Sequence, residues 1–257
     1  MLNGLHGMAD KVRIEEKQPF ISHLKELRDR ILICVVALGV AFLFTFYFKD
    51  KIFDFLMQPF IRVMPEKSSF IFTYVTEAFI TYVKISIVAA IFITAPVILY
   101  EFWMFVSPGL YEKEKKYLIP FIFFGSICFL CGALFCYYAV MPIIYRFFVS
   151  YAGELIIPMP DLKAYMSLTL QMLIVSGLIF ELPLVVYYLS KAGIINHKFL
   201  SSKRRYAVLG IFILSAVITP PDITSQILMV IPLYGLYEFS ILISRLFGKK
   251  AVNNEKT

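Results

Sequence analysis

The side chains in this sequence best placed to do chemistry are carboxylates in positions where carboxylates are costly. Glu181 is the sole charge in the 24-residue run 166–189, MSLTLQMLIVSGLIFELPLVVYYL. At ~1.5 Å per residue this run spans ~36 Å, enough to cross a hydrocarbon core of ~30 Å. Glu181 then lies roughly 12 Å from the end at Leu189, where a carboxylate costs roughly 2.5–3.5 kcal/mol or more. It must face other helices or a watery cavity. Two roles stay open: a buried Glu bonded to a neighbouring helix, or an intramembrane polar spot used by a partner or substrate. Pro183 cannot donate a backbone N–H and should kink the helix beside it.

Two further carboxylates sit among cations in polar segments: Glu26 in HLKELRDR and Glu114 in YEKEKKY. Helical i,i+4 pairing, Glu26 with Arg30 and Glu112 with Lys116, would account for the pattern. The alternative is that Glu26 and Glu114 converge on a cationic ligand.

Other chemistry has less support. Cys34, Cys128, Cys131 and Cys136 all lie in apolar runs. The CxxC of Cys128 and Cys131 has neither further ligands nor a βαβ setting, so it signals neither zinc nor redox work. Small residues at helix contacts are the expected explanation. His6, His23 and His197 give no metal-ligand spacing. GxSxG, HExxH and Gly-rich phosphate loops are all missing. The sequence points away from an enzyme, and to no metal or cofactor.

The elements that must position these carboxylates are membrane helices. The chain has 257 residues, 60% of them hydrophobic and 17% charged, against ~25% charged in soluble domains. An all-α polytopic membrane protein is expected, with no cleavable signal peptide. Residues 1–18 read as polar and loosely ordered, and Pro19 opens an amphipathic lead-in with Phe20, Leu24, Leu27 and Ile31 at helical spacing. Six spans follow, at about residues 31–48, 78–106, 118–148, 166–189, 206–218 and 225–243. They form one domain, 1–248, followed by a polar tail, 249–257. Between the first two, FDFLMQPF (with Pro59) should be a short interfacial helix. The third span carries Pro120 and Pro142 and must tilt or kink. The fifth is ~20 Å long, short of the bilayer core. It joins the sixth through the turn TPPD, whose Asp222 either caps the next helix or acts directly in function. A short helix pair behind longer neighbours implies a concave, cup-like bundle.

Orientation follows from the cations. Eighteen Lys and Arg fall on the side of the two termini, six on the other, and Lys84 lies in a span. The positive-inside rule places both termini in the cytoplasm. The net charge of +7 is therefore a topology and anionic-lipid signal, and no nucleic-acid partner is implied.

Several motifs occur in order along this frame: HLKELRDR at 23–30, Pro59, APVILYEFWMFVSPGLYEKEK at 95–115 and FELP at 180–183. Lys203-Arg204-Arg205, TPPDITSQ at 219–226 and IPLYGLYE at 231–238 complete the set. Along nearly its whole length the sequence resembles the TatC family, the polytopic core subunit of the twin-arginine protein translocase. One departure is Lys115-Lys116, where arginine is expected.

The resemblance implies a receptor and translocation core in the cytoplasmic (inner) membrane, exporting folded proteins on the proton-motive force. Carried over by motif, Glu26 and Glu114 would receive the two consecutive arginines of a signal peptide, with Leu27 and Phe105 as apolar neighbours. Guanidinium suits a carboxylate because its planar fork makes two bonds at once. Two such contacts are comparable to the freedom lost on association, so they select a signal and do not retain it. The signal's apolar region must also lodge against the membrane-embedded concave surface. Glu181 would meet TatA/TatB-type single-span subunits, with Gln226 and Glu238 contributing, and self-association is expected. The alternative is a proton-coupled secondary transporter of a small solute using Glu181 and Glu101. It calls for an internal repeat, which the sequence lacks.

Overall fold

In hydrocarbon every backbone N–H and C=O needs an internal partner, so long apolar runs become helices. The computed structural model describes residues 3–64, 70–71, 74, 76–106, 118–151, 159–219 and 222–248, with backbone alone for 3–22, 106, 118–119 and 121. Its helices are α1 (Asn3–Tyr47), α2 (Lys49–Ile61), α3 (Thr76–Val106), α4 (Leu118–Phe135), α5 (Met141–Val149) and α6 (Leu162–Phe180). They continue with α7 (Leu182–Ala192), α8 (His197–Ser202), α9 (Arg204–Ile218) and α10 (Ile223–Phe247). Among the described residues no strand forms; the one extended contact is an isolated parallel bridge between Ile71 and Asp161.

Among the described residues, five stretches are long and apolar enough to cross a membrane: His23–Tyr47, Thr76–Phe105, Ile122–Val149, Leu162–Ala192 and Ile223–Phe247. The sixth apolar helix, α9, has 15 residues, a rise of ~22 Å.

One expectation is corrected at the N-terminus. The sequence predicts a loosely ordered segment through Gln18, but the α1 backbone is helical from Asn3 without a break at Pro19. Residues 8–18 are rich in Met, Ala, Lys, Arg, Glu and Gln, all strong helix formers. They extend a helix already nucleated by the apolar run, which removes the costly first step.

Proline shapes two of the spans. Between α4 and α5 the chain widens into a π-turn, Cys136–Val140, with Pro142 just beyond it. Pro142 offers no N–H to the preceding turn, so the helix is locally rewound. The Glu181 run is two helices. α6 ends at Phe180, Glu181 joins both, and Pro183 sits in the first turn of α7. Leu184 and Val185 donate to the Glu181 carbonyl at 3.0 and 2.9 Å, while Glu181 N–H turns back to Leu178 O at 3.2 Å.

Packing sets α1 antiparallel to α3. Thr45 donates to Ser86 O at 2.8 Å near one end, and Arg30 reaches Glu101 at the other. The α4–α6 contact is made through glycine: a Cβ on Gly132 would lie 2.6 Å from Ser176 O, and one on Gly177 would lie 2.7 Å from the Phe129 ring. Small residues here let the backbones approach, and Ser176 donates to Gly132 O at 2.9 Å. Of the cysteines Cys136 alone is buried; Cys131 is exposed, so helix packing explains the first and not the second. α7 meets α10 through a Ser190–Ser244 hydrogen bond of 2.7 Å.

The larger core lies where α2 crosses α5 and α6. Phe60, Tyr145 and Tyr165 pack with ring centroids 5.0–5.3 Å apart. Tyr165 donates to Leu56 O at 3.0 Å, and the Tyr145 and Thr169 hydroxyls bond at 2.7 Å. A groove of about 720 Å³ opens beside this core, between the start of α6 and the end of α9, lined by Tyr165, Gln171, Val217 and Thr219 among others. A smaller core of Trp103, Ile122 and Tyr188 sits at the opposite end.

Candidate functional site

The start of the α1 span and the end of α3 build a charged cluster at the end of the bundle holding that smaller core. One helical turn separates Glu26 from Arg30, which brings their side chains onto one face. Arg30 donates from Nε and Nη2 to Glu26 Oε1 at 3.1 and 2.6 Å. Its third donor, Nη1, reaches Glu101 Oε2 across the helix interface at 2.8 Å. The Glu26 side chain is 35% exposed, Arg30 18% and Glu101 10%. The cluster is thus graded from water inward, with two carboxylates on one guanidinium and a formal charge of −1.

Aromatic packing fixes the same corner. His23 stacks on Phe105, with centroids 4.4 Å apart and planes 16° from parallel. His23 Nδ1 also lies 3.8 Å from Glu26 Oε2. Below them Trp103 packs on Tyr188 at 5.0 Å, tying α3 to α7. Leu27, half-buried, is the next residue on α1. Glu26, Leu27 and Phe105 therefore belong to one corner. Glu114 lies outside the described residues.

The other candidates lie elsewhere. Glu181 is 7% exposed, at the α6–α7 break. A Cβ on Gly125 of α4 would lie 3.2 Å from its Oε2, with Leu184 and Leu99 alongside. Its Oε1 is buried with no hydrogen-bond partner among the described residues. Gln226 is on a different face, donating to Phe212 O at 3.1 Å and so stapling α10 to α9. Glu238 accepts from Arg204 and Tyr234, each at 2.8 Å. Gln226 and Glu238 thus each have partners of their own, whereas Glu181 Oε1 has none among the described residues. Pro59 is buried inside α2. Asp222 is the N-cap of α10, its Oδ2 accepting from Ser225 N–H at 2.7 Å, which satisfies one of the helix's free donors.

Sequence reasoning missed the role of Glu101 in the cluster. The i,i+4 rule finds Glu26–Arg30, but the Arg30–Glu101 contact joins residues 71 apart and leaves no periodic signal. Among the described residues no group of His, Cys, Asp or Glu is arranged to hold a metal.

Antiparallel apolar helices, a helix pair stapled at one edge and a charged corner at one end define an all-α, multi-span membrane protein. Residues 22–232 match the family described as Sec-independent protein translocase protein (TatC), and the chain belongs to that family. It is 44% identical over 244 residues to the Sec-independent protein translocase protein TatC of Desulforapulum autotrophicum, covering 95% of this chain and 90% of that one. It is 35% identical to the Escherichia coli K12 protein of the same name, covering 95% and 94%. A crystal structure of the twin arginine translocase receptor TatC superposes with a TM-score of 0.80 at 37% identity, over 87% of this chain and 98% of that one.

Proposed function

We propose that the charged corner of this TatC-family translocase component is where it receives the two consecutive arginines of a signal peptide. Glu26 and Glu114 accept the guanidiniums, and Leu27 and Phe105 line the site. The observation that carries this reading is the Glu26 carboxylate, one-third exposed and held from behind by Arg30, beside Phe105 near the end of α3. A carboxylate that seats one guanidinium has the geometry to seat another in its place.

On this reading the protein binds and translocates and does not catalyse a reaction. It sits in the cytoplasmic membrane with both termini inside, as the 18-to-6 distribution of cations supports. Folded cargo crosses at the expense of the proton-motive force, with TatA/TatB-type single-span subunits and further copies of the chain as partners. Glu181 is the intramembrane polar contact for those subunits. Its unpartnered Oε1 supports that role, because a buried acceptor gains most from a donor brought by another helix. Gln226 acts from the α9–α10 edge. Asp222 holds the turn before α10 in shape, and Pro59 supports the packing of α2.

The test is export of a twin-arginine reporter, with a Sec-type counterpart as control, from Glu26→Gln, Glu114→Gln and double-mutant cells. Loss of twin-arginine export with the control and membrane insertion intact is expected. Normal export from the double mutant would return both carboxylates to surface ion pairs.

A further inference from the structure

The charged corner already holds a guanidinium of its own. Arg30 occupies Glu26 Oε1 with two N–H groups and keeps a third on Glu101. A guanidinium that is to take both oxygens of Glu26 as a fork must displace Arg30 from Oε1, and Arg30 must then have somewhere to go. Glu101 supplies the place: it is nearly buried and bonded to Nη1, so Arg30 released from Glu26 remains paired. Without Glu101 the displaced arginine would be a partly buried, uncompensated charge.

We infer that Arg30 is an internal competitor that sets the preference of this site for arginine over lysine. This rests on the reading of Glu26 as a signal-peptide carboxylate. An incoming guanidinium replaces the two N–H donors that Arg30 withdraws, so the exchange is nearly even. An incoming ammonium is a compact, strongly hydrated point charge without the planar fork. It cannot restore both contacts in the same plane, and Arg30 stays. Selectivity then comes from what the ligand must remove as well as from what it touches. The cluster's formal charge of −1 falls to zero when one guanidinium enters, so the exchange leaves no excess charge in the corner.

The experiment measures binding of two fluorescent synthetic signal peptides to the full-length purified protein in nanodiscs. One carries two consecutive arginines ahead of its apolar segment, the other two lysines. For the parent the lysine peptide should bind at least about tenfold more weakly, the equivalent of one charge-assisted hydrogen bond. In Arg30→Gln the lysine peptide should gain and the ratio should collapse to within about threefold. Arg30→Lys keeps a cation on Glu101 while weakening the competitor, and should give an intermediate ratio. It also guards against a folding defect in the first variant. An unchanged ratio in Arg30→Lys, or equal weakening of both peptides, would overturn the inference and make Arg30 a support for the helix pair. Glu26→Gln separates the two levels. If it leaves arginine-peptide binding intact, the receptor reading itself fails; if it removes that binding while the Arg30 ratio stays fixed, only the competitor is refuted.

Discussion

The two ends of this bundle are held together by different chemistry. Where α2 crosses α5 and α6, aromatic rings fill the core and hydroxyls bond neutral backbone or side-chain oxygens: Tyr165 to Leu56 O, and Tyr145 with Thr169. At the end holding Glu26, the apolar core shrinks to a few residues around Trp103, and helices are joined by ion pairs such as Arg30–Glu101 and Arg204–Glu238. Neutral bonds buried among rings are costly to leave unmade and have no substitute from outside. Partly exposed ion pairs such as Arg30–Glu26 and Arg204–Glu238 cost little to exchange for another partner of like charge, while the more buried Arg30–Glu101 pair stays made. One end is built to stay shut, and the other is built from contacts a charged peptide can replace.

Substitutions can break that contrast. The largest effect is expected from Phe60→Ala, which empties the middle of the aromatic core and should destabilise by roughly 3–5 kcal/mol. Unfolding in mixed micelles would measure it, and a loss near zero would mean the rings are not the anchor. Tyr165→Phe should cost about 1–3 kcal/mol in the same assay, because Leu56 O keeps its burial and loses its donor. The smallest effect is expected at the charged end. Arg204→Ala should change stability by under about 1 kcal/mol, since both side chains are substantially exposed. A loss there as large as at Tyr165 would erase the distinction between the two ends.

The all-α class and the apolar character of the spans are legible because hydrocarbon leaves a long apolar run no structure but a helix. The helix breaks were half visible. Pro183 announced a kink, yet the chain ends one helix at Phe180 and begins another at Leu182. Pro142 announced a distortion, and its form, a π-turn, depends on packing that a linear pattern does not encode. The stretch before Pro19 is helical where its polarity suggests loose order, because helix propensity outweighs polarity there. At the candidate site, Glu26 was visible from its pattern of neighbours and Arg30 from one turn of helix. Glu101 became part of the cluster only when α3 returned beside α1. Glu181, Gln226 and Glu238 stood out by the same rule of rare polar residues in apolar runs. The fold pairs Gln226 with Phe212 O and Glu238 with Arg204 and Tyr234, and leaves Glu181 Oε1 without a partner among the described residues.

The bridge at Ile71 has a consequence for assembly order. Ile71 N–H donates to Pro160 O at 3.2 Å, and Leu162 N–H to Ile71 O at 3.0 Å. These two bonds close the chain on itself, making α3, α4 and α5 one ring whose ends meet outside the helices. A ring of that length closes late, because the entropy of bringing distant ends together is met only once the intervening helices have found each other. A chain with any of the three helices misplaced cannot bring Ile71 to Pro160 and Leu162, so the clasp fastens only when all three are in place.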